Sequence, residues 1–162
     1  KLLDTSQDYQ RLGSQKAAWM DLNDAVRSGL AGTGATDKEI IVEMHEGLEV
    51  FADPMLERVF ANLAFNTIKH APSAKTMKVR CEKDPAGGMT IWFEDDGPGI
   101  PLESKAGLFE EKLGRRTGHG LHYTRRLLEL TGMSIEEVGE PGKCVRYDIK
   151  VPRTGWRLAT PE

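Results

Sequence analysis

The residues best suited to chemistry lie in the stretch Trp92–Pro101, WFEDDGPGIP. Through Met89–Asp95 the side chains alternate. Met89, Ile91 and Phe93 share one face and Thr90, Trp92 and Glu94 the other, and Asp95 has the parity of the apolar row. A carboxylate at the inner end of a core-facing row is costly unless something donates to it. Gly97 and Gly99 leave the adjoining backbone bare, so a ligand can approach closely. An acid on the floor of a pocket beside bare backbone suits a ligand with an exocyclic amine, such as adenine. The same Asp-Asp-Gly-Pro-Gly run is also good turn chemistry, and alone it leaves both readings open.

Two further stretches carry groups of the same kind. Pro54–Ala71 reads as a helix whose apolar stripe is Leu56, Val59, Phe60 and Leu63. Asn62, Asn66, Lys69 and His70 fall on an adjoining flank, within about a 100° arc, and are expected to be partly buried. Asn is a poor helix former, so its presence twice asks for a reason. An Asn carbonyl oxygen can complete the shell of a Mg²⁺ that keeps several waters and takes phosphate oxygens. Lys69 and His70 can donate to the same phosphates. The plainer alternative is a solvated flank with one buried Asn. The third stretch, Arg116-Thr117-Gly118-His119-Gly120-Leu121, leads from a polar loop into a helix. Bare N–H groups at a helix start favour anions, and Lys112, Arg115 and Arg116 add positive charge just before it. An ordinary glycine-rich helix start is the alternative. His119 and His122 stand at i, i+3 with no third ligand nearby in sequence, which argues against zinc. GEPGK at 139–143 lacks the spacing of a phosphate-binding P-loop.

The elements that position these residues follow from the rest of the pattern. Residues 1–12 read as the polar end of a helix. Ser14 is placed to cap a second helix over Gln15–Leu30, with Trp19, Leu22, Val26 and Leu30 at helical spacing. Lys38–Met44 and Leu48–Phe51 read as strands of a hairpin turning at Glu46-Gly47. Asp53 caps the asparagine helix with Pro54 at its first position, and Pro72 ends it. Ala74–Lys83 and Gly88–Asp95 form a second hairpin. Leu102–Gly118 lacks a period and reads as a mobile loop with at most one short helix. Gly120–Leu130 is a helix stopped by Gly132. Met133–Val138 and Lys143–Val151 make the last hairpin, and RTGWRLATPE reads as a frayed tail. The expectation is α+β: helices on one face of a mostly antiparallel sheet.

With 162 residues the chain is long enough for one domain with a real core, and a net charge of −3 argues against a generic nucleic-acid binder. No apolar run is long enough to span a membrane, and there is no signal peptide. The chain starts at Lys1, which suggests a fragment or processed product. Cys81 and Cys144 match no zinc spacing and read as reduced core thiols of a cytoplasmic protein, with a strand-to-strand disulfide as the alternative.

Taken together and in this order, the motifs resemble those of the catalytic ATP-binding domain of sensor histidine kinases, in the superfamily shared with DNA gyrase, MutL and the large heat-shock chaperone. Asn62–His70 is similar to the family's N box, Asp95–Ile100 to its G1 box and Thr117–Leu121 to its G2 box. Leu108–Glu111 resembles a trimmed F box that lacks the usual second aromatic. The resemblance covers about Ser14–Pro152, so residues 14–152 are expected to form the ATP-binding domain. Residues 1–13 would then be the end of a dimerisation and phosphotransfer helix, and 153–162 a tail. The implied fold is a two-layer α/β sandwich of the Bergerat type, with a mostly antiparallel mixed sheet.

The resemblance also implies roles. Asp95 accepts from the adenine amino group, Gly97, Gly99 and Ile100 line the base pocket, and Asn66 ligates Mg²⁺ with Asn62 a weaker candidate. Lys69 and His70 touch phosphates. Residues 103–117, including Lys112, Arg115, Arg116 and Thr117, form a short lid anchored by Phe109, and Gly118 and Gly120 meet the phosphates beside Leu121. His119 stands where the family often has a small or apolar residue; it either contacts phosphate or is tolerated. The implied cofactors are ATP and Mg²⁺. The implied partners are the chain's own dimerisation domain, which bears the acceptor histidine, and the receiver domain of a response regulator; nucleic acid and membrane are not among them. The acceptor helix is absent, since His45-Glu46 lies in a strand-turn stretch. Members that hydrolyse ATP carry a Glu where this chain has Asn62, and an amide cannot take a proton from water. The expectation is therefore a monomeric kinase domain that binds Mg-ATP and hydrolyses it poorly. An anti-sigma-factor-type serine kinase and a non-catalytic nucleotide-dependent interaction module are the alternatives.

Overall fold

A computed structural model describes residues 9–34, 37–111 and 120–159. Two sheets carry the chain. The larger has five strands in the order β2 (Glu39–Glu43), β4 (Thr76–Lys83), β5 (Met89–Asp95), β7 (Val145–Val151) and β6 (Ser134–Glu137). Only β2–β4 is parallel; the other pairs are antiparallel. The smaller sheet is antiparallel, in the order β1 (Ala18–Asp21), β3 (Leu48–Ala52) and β8 (Trp156–Leu158). The helices among the described residues include α1 (Leu22–Ala31), α2 (Glu57–His70), the single turn α3 (Leu102–Lys105) and α4 (Gly120–Glu129).

The core forms where the period-2 and period-3.6 patterns meet. Met77 and Val79 on β4, Ile91 and Phe93 on β5, and Tyr147 and Ile149 on β7 are buried on one face of the large sheet. Val59, Phe60 and Leu63 of α2 and Leu127 and Leu128 of α4 belong to the same apolar cluster. The opposite sheet face carries Arg80 and Arg146 against the Trp92 ring, Arg146 at 4.0 Å from its centroid. The α+β expectation, with helices on one face of a mostly antiparallel sheet, holds.

Four local expectations do not. The helix proposed over Gln15–Leu30 is a strand followed by a shorter helix. Trp19 pairs with Phe51 in the β1–β3 register and meets its ring edge-on, so cross-strand packing wins over a helical spacing that runs by coincidence into Leu22. Asp21 is then the cap, accepting from Asp24 N at 2.9 Å, while the Ser14 hydroxyl donates to Arg11 O. The hairpin proposed at Glu46-Gly47 is instead a transfer between sheets: β2 joins β4, and β3 joins β1 and β8. Asp53 does cap a turn, accepting from Met55 N at 2.8 Å, but Pro54 opens that turn and the α-helix starts at Glu57. The tail proposed to fray is built in over residues 153–158. Its 3₁₀ turn Arg153–Gly155 leads into β8, and Trp156 Nε1 donates to Gly87 O at 2.9 Å. The remaining hairpins, β4–β5 and β6–β7, and the helix stopped at Gly132 follow the sequence reading.

Both cysteines are free thiols and half-buried; burial pushes the Cys81 thiol up to about 12. Among the described residues no helix is long and apolar enough to cross a membrane.

Candidate functional site

Asp95 sits at the inner end of β5, only 1% exposed, as strand parity requires. Among the described residues its charge has two donors. Thr67 Oγ1 donates to one carboxylate oxygen at 2.7 Å, and Gly97 N donates to the other at 2.9 Å. Each oxygen keeps a lone pair for a further donor. Thr67 is itself buried on α2, the same helix that carries the two asparagines. The sequence reading missed Thr67, because a lone Thr inside a helix carries no motif; only the pairing of α2 over β5 gives it a role.

The neighbouring acid does different work. Asp96 is exposed and its Oδ1 accepts from Thr76 N at 3.0 Å and Lys75 N at 2.7 Å. Those backbone donors, Thr76 first, hold its carboxyl below the usual range. Of the Asp-Asp pair, one is buried under α2 and the other caps the edge of β4.

The glycines of this turn are required by the protein's own packing. A Cβ on Gly97 would stand 2.6 Å from Ala71 Cβ, just past the end of α2. Gly99 has φ +77°, and a Cβ there would meet Glu140 O at 2.8 Å and Cys144 O at 2.9 Å. Gly142 N also donates to Pro98 O at 2.6 Å, so the turn after β5 is fastened to the β6–β7 hairpin. Lys105, at the end of α3, adds a second fastening. Its Nζ lies 2.6 Å from Glu137 Oε1 and donates to Gly139 O, and the other Glu137 oxygen accepts from Gly139 N and Arg146 N. No sequence signal pointed to this half-buried pair, which joins positions far apart in the chain.

The two asparagines part company. Asn62 is 2% exposed, and its Nδ2 faces Gly120 O and Thr124 Oγ1, each at 3.4 Å, in the α2–α4 contact. Asn66 is half-buried. Lys69 and His70 are exposed in the last turn of α2, more open than the flank position suggested. Ile100 and Phe109 pack against the core, Phe109 edge-on to Tyr147 with ring centroids 6.3 Å apart. Gly120 and Leu121 begin α4, and Leu121 is buried. The structure thus brings Asp95 and Gly97 against the last turns of α2, through Thr67 and Ala71, while Phe109 packs on Tyr147. Lys112, Arg115, Arg116, Thr117, Gly118 and His119 lie outside the described residues.

The sequence model of the "histidine kinase-, DNA gyrase B-, and HSP90-like ATPase" family matches residues 52–155. Among curated proteins, the adaptive-response sensory kinase SasA of Synechococcus sp. (strain CC9311) is 27% identical over 113 residues, covering 64% of this chain and 30% of that protein. The sensor protein IrlS of Burkholderia pseudomallei is 28% identical over 128 residues, 73% of this chain and 27% of its own length. The chain therefore spans less than a third of these relatives. Among solved structures, the mycobacterial sensor histidine kinase MprB matches with a TM-score of 0.71 at 20% identity, over 84% of this chain and 97% of that one. Full-length ShkA, solved with AMPPNP, matches with a TM-score of 0.76 at 20% identity, over 98% of this chain and 36% of that one. At such identity these two likenesses establish the fold. The family match, the order of the boxes and the buried acid beneath the asparagine helix lead to one conclusion: the chain belongs to the histidine kinase-, DNA gyrase B- and HSP90-like ATPase family, as an ATP-binding catalytic domain of the sensor histidine kinase kind.

Proposed function

We propose that this domain binds Mg-ATP beneath α2 and presents the γ-phosphate to a histidine on a dimerisation domain, for relay to the receiver domain of a response regulator. The observation that carries the reading is Asp95: a buried carboxylate with spare acceptor capacity, held by Thr67 and by the glycine turn. Such a group selects a ligand that donates an amine proton, and the adenine amino group fits. Ile100 and Phe109, packed against the core, supply apolar surface in this reading. In this reading Lys69 and His70, exposed where α2 ends, meet the polyphosphate.

The residues present fit Mg²⁺ rather than a softer metal. Among the described residues no cluster of three His, Cys, Asp or Glu could enclose an ion. A single amide oxygen, from Asn66, with phosphate oxygens and water is a donor set for a small hard cation. When bound, Mg²⁺ supplies charge neutralisation on the phosphates. The chain's own contribution is position: Asp95 orients the base, Asn66 and the end of α2 hold the phosphates, and Asn62 cannot act as a base toward water. The chemistry left to the protein is alignment and charge.

The test is calorimetric titration with a non-hydrolysable ATP analogue, with and without Mg²⁺, followed by phosphate transfer in trans to a supplied dimerisation domain. Magnesium-dependent binding abolished by Asn66→Ala, together with transfer, is expected. Binding without transfer to any histidine would point instead to a nucleotide-dependent interaction module, and absence of binding would end the reading.

A further inference from the structure

We propose that the free edge of β8 is a docking site for an extended acidic segment of a partner protein, taken up by strand addition. β8 is the outer strand of the small sheet and pairs with β3 alone. Hydrogen-bonded and non-bonded pairs alternate along an antiparallel ladder. Ala159 N donates to Gly47 O at 2.6 Å, so the bonded pairs in this register are Gly47–Ala159 and Glu49–Arg157. Trp156 and Leu158 therefore turn their N–H and C=O groups outward, and among the described residues no group bonds to them there. Unpaired backbone groups along a strand are a template for another strand.

The side chains beside that edge select which strand enters. A groove of about 600 Å³ lies between β8 and the β4–β5 turn. The Trp156 indole is fixed there by its bond to Gly87 O, and Lys83 Nζ stands 5.8 Å from the ring centroid. The Arg153 stem lies over Gly87, where an added Cβ would be 3.1 Å from Arg153 Cδ. Arg157 is ion-paired with Glu49, but Lys83 and Arg153 are exposed and form no ion pair among the described residues. Among the described residues no carboxylate lines this groove, in a chain whose net charge is −3. Such a local excess of positive charge admits an acidic segment and turns away a basic one. It also disfavours a second copy paired edge to edge about a two-fold axis, which would bring the same cations together. A second groove of about 500 Å³ shares Lys83, Trp156 and Leu158, and its wall carries Met44, Leu48 and Met89. Glu43 and Glu82 also line it, so the acidic groups of an occupant stay on the cationic side and an apolar side chain enters here. Both grooves lie at the Lys83–Met89 end of the β4–β5 pair, about 20 Å along the strand from Asp95. The docking site is therefore independent of the nucleotide reading.

The test is an NMR titration of the whole chain with end-blocked six-residue peptides, one alternating Glu and Leu, the other alternating Lys and Leu. The acidic peptide should bind saturably with a Kd of about 1 mM or tighter, shift the Trp156 indole N–H, and slow exchange of the Trp156 and Leu158 backbone amides. The basic peptide should bind at least about tenfold more weakly. Lys83→Glu combined with Arg153→Glu should reverse that preference, with an unchanged urea midpoint showing that the exposed substitutions leave the fold intact. The acidic peptide methylated on every backbone nitrogen should not bind. Equal binding of the two unmethylated peptides would mean an unselective apolar patch and overturn the proposal. Undiminished binding of the methylated peptide would do so by removing strand addition. The same Trp156 shift with inorganic phosphate alone would mean a plain anion site, and concentration-dependent shifts without peptide would mean a second copy; either overturns it. So does an absence of binding by the acidic peptide.

Discussion

At the scale of single residues, the inner end of β5 depends on one buried charge and its donors. Asp95→Asn keeps the size of the side chain but converts half of it into a donor. If the carboxylate accepts from the adenine amine, the change should cost about 1.5–3 kcal/mol of nucleotide binding, or about ten- to 150-fold in affinity. Titration with an ATP analogue checks it, and an unchanged affinity would remove the adenine assignment. Asp96 offers a separate prediction in pH. Its carboxyl is held below the ordinary value of 3.8 by the Thr76 and Lys75 amides. A depressed folded value means that its contribution to stability is fully present above 3.8 and disappears as the pH falls through the folded value. Asp96→Asn should therefore flatten the acid limb of a stability-against-pH curve below about pH 4 and leave nucleotide affinity at neutral pH intact. A limb of unchanged slope would show that this group does not contribute.

At the scale of elements, the site is held by how helices begin and where the turn after β5 is tied. Asp21 caps α1 through Asp24 N, and Asp21→Ala should lower stability by about 1 kcal/mol, read as a shift in urea midpoint at constant slope. Lys105 is the stronger case. Its ammonium joins α3 to Glu137, whose side chain is only 1% exposed. Lys105→Met would leave that carboxylate buried with two backbone donors but without its counter-charge. A loss of about 1–3 kcal/mol is expected from the same measurement. If the loss is within error, the pair is replaceable by apolar packing, as many buried ion pairs are.

At the scale of the whole molecule, the small sheet closes the fold around chain segments that are distant in sequence. β8 lies on β3, and the Arg157 guanidinium is 4.1 Å from the Trp19 ring centroid and ion-paired with Glu49 at 2.7 Å. Ending the chain after Pro152 removes this strand and with it the bond from Trp156 Nε1 to Gly87 O. The shortened chain should lose about 2–4 kcal/mol, on the scale of one aromatic side chain returned to water together with a few strand hydrogen bonds. Its ATP-analogue affinity should be unaffected wherever it remains folded, because β8 is in the other sheet from Asp95. A truncated chain as stable as the full one would mean that β8 only decorates the edge.

Much of this protein was legible in one dimension. Strand parity alone put Asp95 on the core side, because successive side chains alternate across a sheet and nothing tertiary can change that without a register slip. The 3.6-residue period put Asn62 and Asn66 on one flank of α2, and glycines marked the turn after β5. The order of these boxes was enough to resemble a family that the comparisons then supported. Pairings between distant segments were not legible. Parallel β2–β4, the β1–β3–β8 sheet, the Thr67–Asp95 bond and the Lys105–Glu137 pair each join residues whose local patterns are indifferent to the partner. Trp19 fits a helix stripe as well as a strand edge until Phe51 is beside it. The difference between Asn62, enclosed against α4, and Asn66, left half-buried, lies in packing that sequence spacing cannot express, and there the tertiary structure alone decided.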